Sequence, residues 1–167
     1  MCKRRAISQQ GFTFIEVITV IVVIGILAAV AVIKISGTSA TEVSAATRKV
    51  ISDIQYAQDL AMTTGNHVKI QFNVQNNSYQ LVWGDGTPIP NIMGSGNFVV
   101  QYGTGSFPHV VLTGTGLNEG ILAFDAIGQP YSNTALIASN QMVVEINSQK
   151  SVYITPYSGK VYVETVQ

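Results

Sequence analysis

Residues 12–33 read FTFIEVITVIVVIGILAAVAVI, an apolar run interrupted by a single acid, Glu16. As a helix, these residues extend about 33 Å at ~1.5 Å per residue, which is enough to cross the ~30 Å hydrocarbon core of a bilayer. The polar and basic segment MCKRRAISQQG, residues 1–11, precedes the run, and Lys34 follows it. The more basic flank of a transmembrane helix stays cytoplasmic, and here that flank is the leader with Lys3, Arg4 and Arg5. We therefore expect a single-pass transmembrane helix over residues 12–34, with the rest of the chain outside the cytoplasm.

A cleaved secretory signal peptide is the alternative interpretation of the same segment. Such a signal has a shorter apolar region followed by a cleavage site of small residues, which Ala28, Ala29 and Ala31 could imitate. Two features count against this alternative, because the apolar run is long and Glu16 lies inside it. A carboxylate at the centre of a transmembrane helix costs roughly 2.5–3.5 kcal/mol on insertion scales, so an acid at this place indicates a function.

The order of these features carries a resemblance to a known family. A basic leader, the hexapeptide GFTFIE at residues 11–16 and a following apolar helix resemble the class III signal of type IV prepilins and type II secretion pseudopilins. The resemblance implies a leader peptide over residues 1–11, which the prepilin peptidase cleaves between Gly11 and Phe12. It also implies that the same enzyme N-methylates Phe12, and that Glu16 sets the register of subunits in the assembled fibre.

Elementary electrostatics supports this implied role of Glu16. Opposite charges gain far more from pairing in a low-dielectric helix bundle than in water, and an unmatched charge there is costly. A pair between the Glu16 carboxylate and the Phe12 amine of a neighbouring subunit would therefore favour one axial offset between subunits. The alternative is that Glu16 only extends to the lipid headgroups.

Residues 38–64, TSATEVSAATRKVISDIQYAQDLAMTT, show the apolar period of a helix. Six apolar residues recur at steps of three and four, and they are Val43, Ala46, Val50, Ile54, Ala57 and Ala61. The charged residues Arg48, Lys49, Asp53 and Asp59 fall mostly away from this stripe. Gly65 is a candidate C-cap. We therefore predict an amphipathic helix over residues 35–65, which continues the apolar helix and packs one face on a globular domain.

The pattern changes to alternation in the second half of the chain. HVKIQFNV at residues 67–74 and YQLVW at 79–83 predict a hairpin around a turn at Asn76-Asn77. Weaker strands are predicted at 98–102, 110–113 and 121–124, and a closing meander at 142–147, 151–155 and 160–164. We expect one set of meander side chains to share a buried face, namely Met142, Val144, Ile146, Val152, Ile154, Val161 and Val163. The predicted fold class is therefore α+β, a long N-terminal helix packed on an antiparallel β-sheet or sandwich that forms a β-rich head, residues 66–167.

The head carries a looser resemblance to one branch of that family. Three sequence segments, Ala57-Gln-x-x-Ala61, Phe124-Asp-x-x-Gly-x-Pro130 and Tyr157-Ser-Gly-Lys-Val161, resemble those of the GspH/FimT minor pseudopilins and minor pilins, including MshC-like subunits. The resemblance implies a structural subunit of a type IV pilus or type II secretion pseudopilus. Such a subunit lies at or near the tip, helps to initiate assembly and is not an enzyme.

The same resemblance implies the partners and the location. The partners are the prepilin peptidase, other major and minor pilins or pseudopilins, the inner-membrane assembly platform and membrane lipids. The location is the bacterial inner membrane, with the N-terminus cytoplasmic and the head periplasmic, and afterwards the pilus or pseudopilus.

Composition and residue spacing argue against a nucleic-acid, metal or catalytic site in the head. The formal net charge is zero, and residues 84–120 contain no Lys or Arg, so we expect no nucleic acid partner. His67 and His109 are the only histidines, and neither has an acid or cysteine at ligand spacing. Asp85 and Asp125 fit turns better than a calcium or active site, because calcium needs six to eight oxygens. We therefore expect no metal, no cofactor and no catalytic residue.

One alternative function stays open from the sequence. The Gly-rich loops between residues 84 and 120 are of the kind that commonly bears recognition. The chain would then be a ligand-binding tip module of a type IV pilus, an adhesin or a DNA-uptake component, and the missing basic residues disfavour DNA. Cys2 is the only cysteine and lies in the expected leader, so the mature chain would form no disulfide of its own.

Overall fold

The computed structural model describes residues 13–35, 38–92 and 94–166, with side chains described outside residues 28–39. The chain divides into two compact units, an N-terminal one up to residue 38 and a head from residue 39 onward.

The N-terminal unit contains one helix, α1, at Phe14–Ile35. It starts directly after Thr13, whose carbonyl oxygen accepts hydrogen bonds from the N–H groups of Glu16 at 3.1 Å and Val17 at 3.3 Å. Within the residues whose placement is described, no helix meets the length and apolarity needed to cross a membrane. The transmembrane segment predicted over residues 12–34 is therefore not confirmed and stays a prediction.

The head begins with a second helix, α2, at Thr38–Thr64. The sequence prediction for residues 38–64 is confirmed. All six residues of its apolar stripe are at most 1% exposed. The helix ends at Gly65, which has a positive φ of 68° and donates its N–H to the Ala61 carbonyl at 2.9 Å. Glycine adopts this left-handed conformation at little cost, so the predicted C-cap is confirmed.

Within the described residues of the head, ten antiparallel strands and one short 3₁₀ helix follow. The strands are β1 Val68–Asn73, β2 Ser78–Trp83, β3 Val99–Gln101, β4 Leu112–Gly114, β5 Ile121–Phe124, β6 Pro130–Ser132, β7 Ala135–Leu136, β8 Gln141–Ile146, β9 Lys150–Ile154 and β10 Val161–Thr165, and the 3₁₀ helix covers Asn118–Gly120. They form a six-stranded sheet in the order β3-β2-β1-β5-β6-β7 and a four-stranded sheet in the order β10-β9-β8-β4. The α+β class and the antiparallel pairing are thus confirmed, whereas the sandwich arrangement stays a prediction.

The hairpin of β1 and β2 organises the larger sheet. Its register pairs Ile70 with Leu81 and Phe72 with Tyr79, and these four side chains are buried. Cross-strand partners share a face of a sheet, so this face points into the core. The stripe of α2 and the inward faces of both sheets form one hydrophobic cluster. Burying a large apolar side chain stabilises a fold by about 1.5–3 kcal/mol, so this cluster holds α2 to the sheets.

Two details of the sheets differ from the sequence prediction. Strands β6 and β7 were not predicted, because they are only three and two residues long and one begins with proline. Met142 was expected on the buried face of the meander, and this is wrong. The register shifts between Met142 and Val144, so that Met142 pairs with Tyr153 while Val144 pairs with Val152. Such a bulge inserts one residue and moves Met142 to the other face.

Candidate functional site

Glu16 is the one predicted site residue whose surroundings the structure describes. Gly11 and Phe12, the predicted cleavage and methylation residues, lie outside the described residues. Glu16 lies in the first turn of α1, and its N–H contacts both the carbonyl oxygen and the hydroxyl of Thr13, the latter at 3.4 Å. An acid in the first turn is favoured by the partial positive charge of a helix N-terminus. This local effect explains part of its presence.

The surroundings of Glu16 are apolar and open. The large apolar side chains of α1 from Phe14 to Leu27 are between 42% and 83% exposed. Over the part of the chain that is described, no cation contacts the Glu16 carboxylate. If this helix is surrounded by lipid or by other apolar helices, its single negative charge requires a positive partner from elsewhere.

A second acid of interest, Asp53, lies on α2. The sequence grouped it with charged residues that fall mostly away from the apolar stripe, and this did not indicate its burial. Asp53 is only 5% exposed. The Lys49 ammonium donates to both its oxygens, with 2.6 Å to Oδ2, and the Tyr79 hydroxyl donates to Oδ2 at 2.6 Å. The Lys49 ammonium also lies 5.1 Å from the centre of the Phe98 ring. Asp53 is thus paired across the interface between α2 and β2.

The neighbouring phenols belong to the same buried cluster. Burial raises the pKa of the Tyr79 hydroxyl well above its usual range, and the nearby Tyr102 and Asp53 raise it further. Burial also raises the pKa of Tyr102, whose hydroxyl donates to the Ala46 carbonyl at 3.2 Å. Among the described side chains, no buried polar atom lacks a hydrogen-bond partner. The cluster therefore ties α2 to the sheet.

A second polar contact joins three distant segments of the head. The Gln58 amide of α2 donates to the Gly128 carbonyl at 2.8 Å and to the Ser158 carbonyl at 3.0 Å. We name this contact the Gln58 clamp, formed by Gln58 with the carbonyls of Gly128 and Ser158. A Cβ on Gly159 would lie 2.5 Å from the Gln58 amide nitrogen, and both Gly128 and Gly159 have positive φ. Glycine is therefore required where these two turns approach α2.

Two aspartates that could have been ligands are turn residues, as the sequence indicated. Asp125 accepts the N–H groups of Ile127 and Gln129 on its Oδ1 atom, at 3.0 and 2.8 Å. Asp85 accepts the N–H of Thr87 at 2.8 Å, and this hydrogen bonding lowers the pKa of the Asp85 carboxyl. The described part of the chain contains no group of three or more potential metal ligands.

The two histidines lie at separate places on the surface. His67 is exposed beside Gly84. His109 contacts the Glu42 carboxylate, with 3.1 Å between Nδ1 and Oε2. This contact could not be predicted from local patterns, because its members are 67 positions apart and only the folded head brings them together.

Comparison with known proteins identifies one segment of the chain. Residues 7–32 match the family described as the prokaryotic N-terminal methylation motif. No curated protein and no solved structure matches the chain significantly. The motif indicates a type IV pilin-like subunit that is made as a prepilin, is processed by prepilin peptidase and assembles with other pilins.

Proposed function

We propose that the chain is a minor pilin or pseudopilin of the GspH/FimT kind, which takes a place at or near the tip of a type IV pilus or type II secretion pseudopilus and helps to initiate assembly. It works by protein–protein contact, without catalysis and without a cofactor. The observation that carries the proposal is the methylation motif at residues 7–32, with Glu16 as the one acid of a helix whose residues 20–33 are all apolar or glycine.

Processing and anchoring are the first steps of this function. The prepilin peptidase cuts between Gly11 and Phe12 and methylates Phe12, and the apolar segment 12–34 holds the subunit in the inner membrane with its head in the periplasm. The open apolar surface of α1 supports this step, because a helix that is apolar all round is stable in lipid or among other helices.

Assembly is the second step, and Glu16 serves in it as the register device. Its carboxylate pairs with the amine of Phe12 on a neighbouring pilin in the inner-membrane assembly platform. The open surroundings of Glu16 support this role, since no cation of the described chain competes for it. A carboxylate and an amine in a low-dielectric bundle attract each other strongly, so a misaligned subunit is disfavoured.

The Gln58 clamp supports the GspH/FimT assignment. The three segments that resemble this branch lie far apart in sequence, and they meet at the clamp: Gln58 on α2, Gly128 in the turn after β5, and Ser158 in the turn before β10. A shared packing contact is a physical reason for those three segments to occur together.

Replacement of Glu16 tests the proposal. Glu16→Ala removes an unfavourable charge from the membrane segment and leaves the cleavage site unchanged, so insertion and cleavage proceed while incorporation into fibres falls strongly. Glu16→Gln keeps an acceptor without the charge and is partly defective. Thr19→Ala is the matched control, because Thr19 lies one turn away in α1 and its hydroxyl donates back to the Ile15 carbonyl of the same helix, at 2.8 Å.

Two measurements decide the outcome. Mass spectrometry of the membrane-extracted protein gives the mature N-terminus, which we expect at Phe12 with one added methyl group. Immunoblots of sheared fibres, at matched expression, give the incorporated fraction. A mature chain that starts at Met1 or after Ala28 would contradict the processing step, and normal amounts of the Glu16→Ala protein in fibres would contradict the register role.

A ligand-binding tip module is the second candidate function. The observation that favours it is an open cleft in the head, one end of which is formed by Gly84 and Asp85 at the start of the Gly-rich segment. Binding of a soluble ligand by the purified chain, unaffected by Glu16→Ala, would separate this function from assembly.

A further inference from the structure

The cleft lies on the solvent-facing side of the six-stranded sheet. Lys69 on β1, Ala123 on β5 and Tyr131 on β6 stand side by side in one cross-strand row, and all three line the cleft. Partners in a row share a face, and this face is opposite to that of the buried Ile70 and Leu122. We name the cleft the Ala123 cleft, because the small side chain of Ala123 lies between the long side chains of Lys69 and Tyr131 and forms the floor between them.

The two ends of the Ala123 cleft are formed by turns. Trp83, Gly84 and Asp85 form one end, and Asn133 and Thr134, in the turn between β6 and β7, form the other. The volume is about 710 Å³, within the range of about 300–1,000 Å³ that is typical of small-molecule sites. The cleft therefore has room for a small ligand.

The cleft presents polar groups with unused hydrogen-bonding capacity. The Lys69 ammonium has three N–H donors, and one of them goes to the Gly84 carbonyl at 2.6 Å. Asp85 accepts the N–H of Thr87 on Oδ1, and the Thr87 side chain also hydrogen-bonds to this carboxylate. A carboxylate has about four acceptor sites, so Asp85 can accept further hydrogen bonds. Asn133 donates its amide N–H to Glu119, which leaves its carbonyl oxygen as an acceptor. The charges of Lys69 and Asp85 have opposite signs and balance each other.

These features exclude several ligand classes. A peptide that adds a strand needs a free strand edge, but β1, β5 and β6 are all interior strands of the sheet. A phosphate or other anion needs an excess of positive charge, and Asp85 offsets Lys69. A purely apolar segment would strip water from both charges without replacing their hydrogen bonds.

We propose that the Ala123 cleft binds a neutral sugar ring. A pyranose carries hydroxyl groups on its rim, each able to donate and accept, and apolar C–H patches on its faces. The rim fits Lys69, Asp85 and Asn133, which supply both donors and acceptors. The C–H patches fit the methyl group of Ala123 and the ring of Tyr131, which line the cleft on the same sheet face. This inference rests on the second candidate function, and the assembly role does not depend on it.

The chain supplies its own reporter for this test. Trp83 is the only tryptophan and lines the cleft, so its fluorescence reports binding there. The full-length chain is purified in a detergent without a sugar headgroup and titrated with methyl glycosides of glucose, galactose, mannose and N-acetylglucosamine, with glycerol as the control for solution effects. We expect saturable binding of at least one glycoside, with a dissociation constant on the order of 1 mM, as for a small and weakly buried ligand.

Two variants locate the binding. Ala123→Leu fills the floor from the solvent side and should weaken binding at least tenfold, and Asp85→Asn should weaken it while keeping an acceptor for the Thr87 N–H. Val99→Leu is the matched control, because Val99 lies on the same sheet face, is 51% exposed and does not line the cleft. Thermal unfolding checks that each variant is folded.

The outcomes are distinct. A saturable signal that is lost in Ala123→Leu and kept in Val99→Leu supports the site. No saturable signal with any glycoside, an equal response in Ala123→Leu, or saturation by inorganic phosphate instead would overturn it. None of these binding results depends on fibre assembly, so a failure to bind glycosides would not contradict the assembly role. Loss of the Glu16→Ala protein from fibres would likewise not contradict binding at the Ala123 cleft.

Discussion

The helices α1 and α2 are similar in length, at 22 and 27 residues, but they differ in what surrounds them. The apolar stripe of α2 is fully buried in its own head, whereas the described side chains of α1, residues 14–27, are all exposed. A helix with one apolar face is completed by the domain that carries it, and a helix that is apolar all round needs lipid or other chains. The apolar face of α2 is thus buried by its own head, and we propose that lipid or other chains surround α1.

The two helices also differ in the surroundings of one acid on each, Glu16 on α1 and Asp53 on α2. Asp53 on α2 finds Lys49 and Tyr79 within its own head. Glu16 on α1 finds no cation in the part of the chain that is described. A buried charge is stable only when paired, so Asp53 contributes to folding and Glu16 is suited to association. The following predictions test this contrast.

Removal of whole helices gives the largest expected effect. Deleting residues 1–37 should leave a folded, monomeric head, because α2 and both sheets are retained. Deleting residues 1–64, so that the chain starts at Gly65, should expose the sheet face that α2 covers and cause aggregation. Size-exclusion chromatography and circular dichroism during thermal unfolding measure both fragments. A soluble fragment from Gly65 that unfolds cooperatively would show that α2 is not needed for the core.

The same substitution in the two helices should differ by several kcal/mol. Ile54 is 0% and Ile21 is 64% exposed. Ile54→Ala should lower the free energy of unfolding of the head by about 2–5 kcal/mol, because it leaves a cavity. Ile21→Ala should change it by less than about 0.5 kcal/mol, as at other exposed positions. Urea denaturation of the full-length chain in detergent provides both values, and equal losses would contradict the assignment of α1 to an external environment.

Neutralising the two acids should separate their roles. Asp53→Asn keeps an acceptor for the Tyr79 hydroxyl but removes the charge that pairs with Lys49, so we expect the free energy of unfolding to fall by about 1–3 kcal/mol. Glu16→Gln should leave the unfolding of the head unchanged. The two variants are compared by thermal unfolding at neutral pH. An Asp53→Asn head as stable as the wild type would mean that Lys49 and Asp53 contribute little beyond packing.

The alkaline pH dependence of stability should give the smallest effect. The pKa of Tyr79 is raised above its ordinary value of 10.0, so above pH 10 the unfolded chain loses this proton while the folded chain retains it. Stability is therefore complete below pH 10 and falls as the pH rises, by up to about 1.4 kcal/mol per pH unit for each such group.

Tyr79→Phe should reduce the alkaline slope of the free energy of unfolding by up to about 1.4 kcal/mol per pH unit, which corresponds to one proton. The contribution of Tyr102 should remain. The substitution should also cost about 0.5–1.5 kcal/mol at neutral pH, through the lost hydrogen bond to Asp53. Urea denaturation between pH 8 and 11 measures the slope. An unchanged slope in Tyr79→Phe would show that Tyr79 does not titrate with unfolding.

Local patterns in the sequence predicted the regular elements well. The bounds of α2, its six-residue stripe, the Gly65 cap and the hairpin of β1 and β2 all follow from periods of 3.6 and 2 and from turn residues. These features depend on neighbours within a few positions. The methylation motif is local in the same sense, so Glu16 could be singled out from the sequence alone.

Apart from the short strands β6 and β7, the features that the patterns missed depend on long-range contacts. The bulge at Met142 depends on the pairing of β8 with β9, and the burial of Asp53 depends on Tyr79, which is 26 positions away. The pair of Glu42 and His109 and the Gln58 clamp join segments separated by at least 67 positions. No local period encodes such contacts, because they form only when α2 and the two sheets pack together.

The sequence by itself therefore determined the prepilin signal, the two helical segments and the alternating strands, since each of these features depends on residues that are close along the chain. Only the tertiary structure decided which acid is buried, which face Met142 occupies, and that Ala123 forms the floor of a cleft between Lys69 and Tyr131. The physical reason is that burial and shape are set by what packs against a residue. In this head, those neighbours come from other strands and from α2.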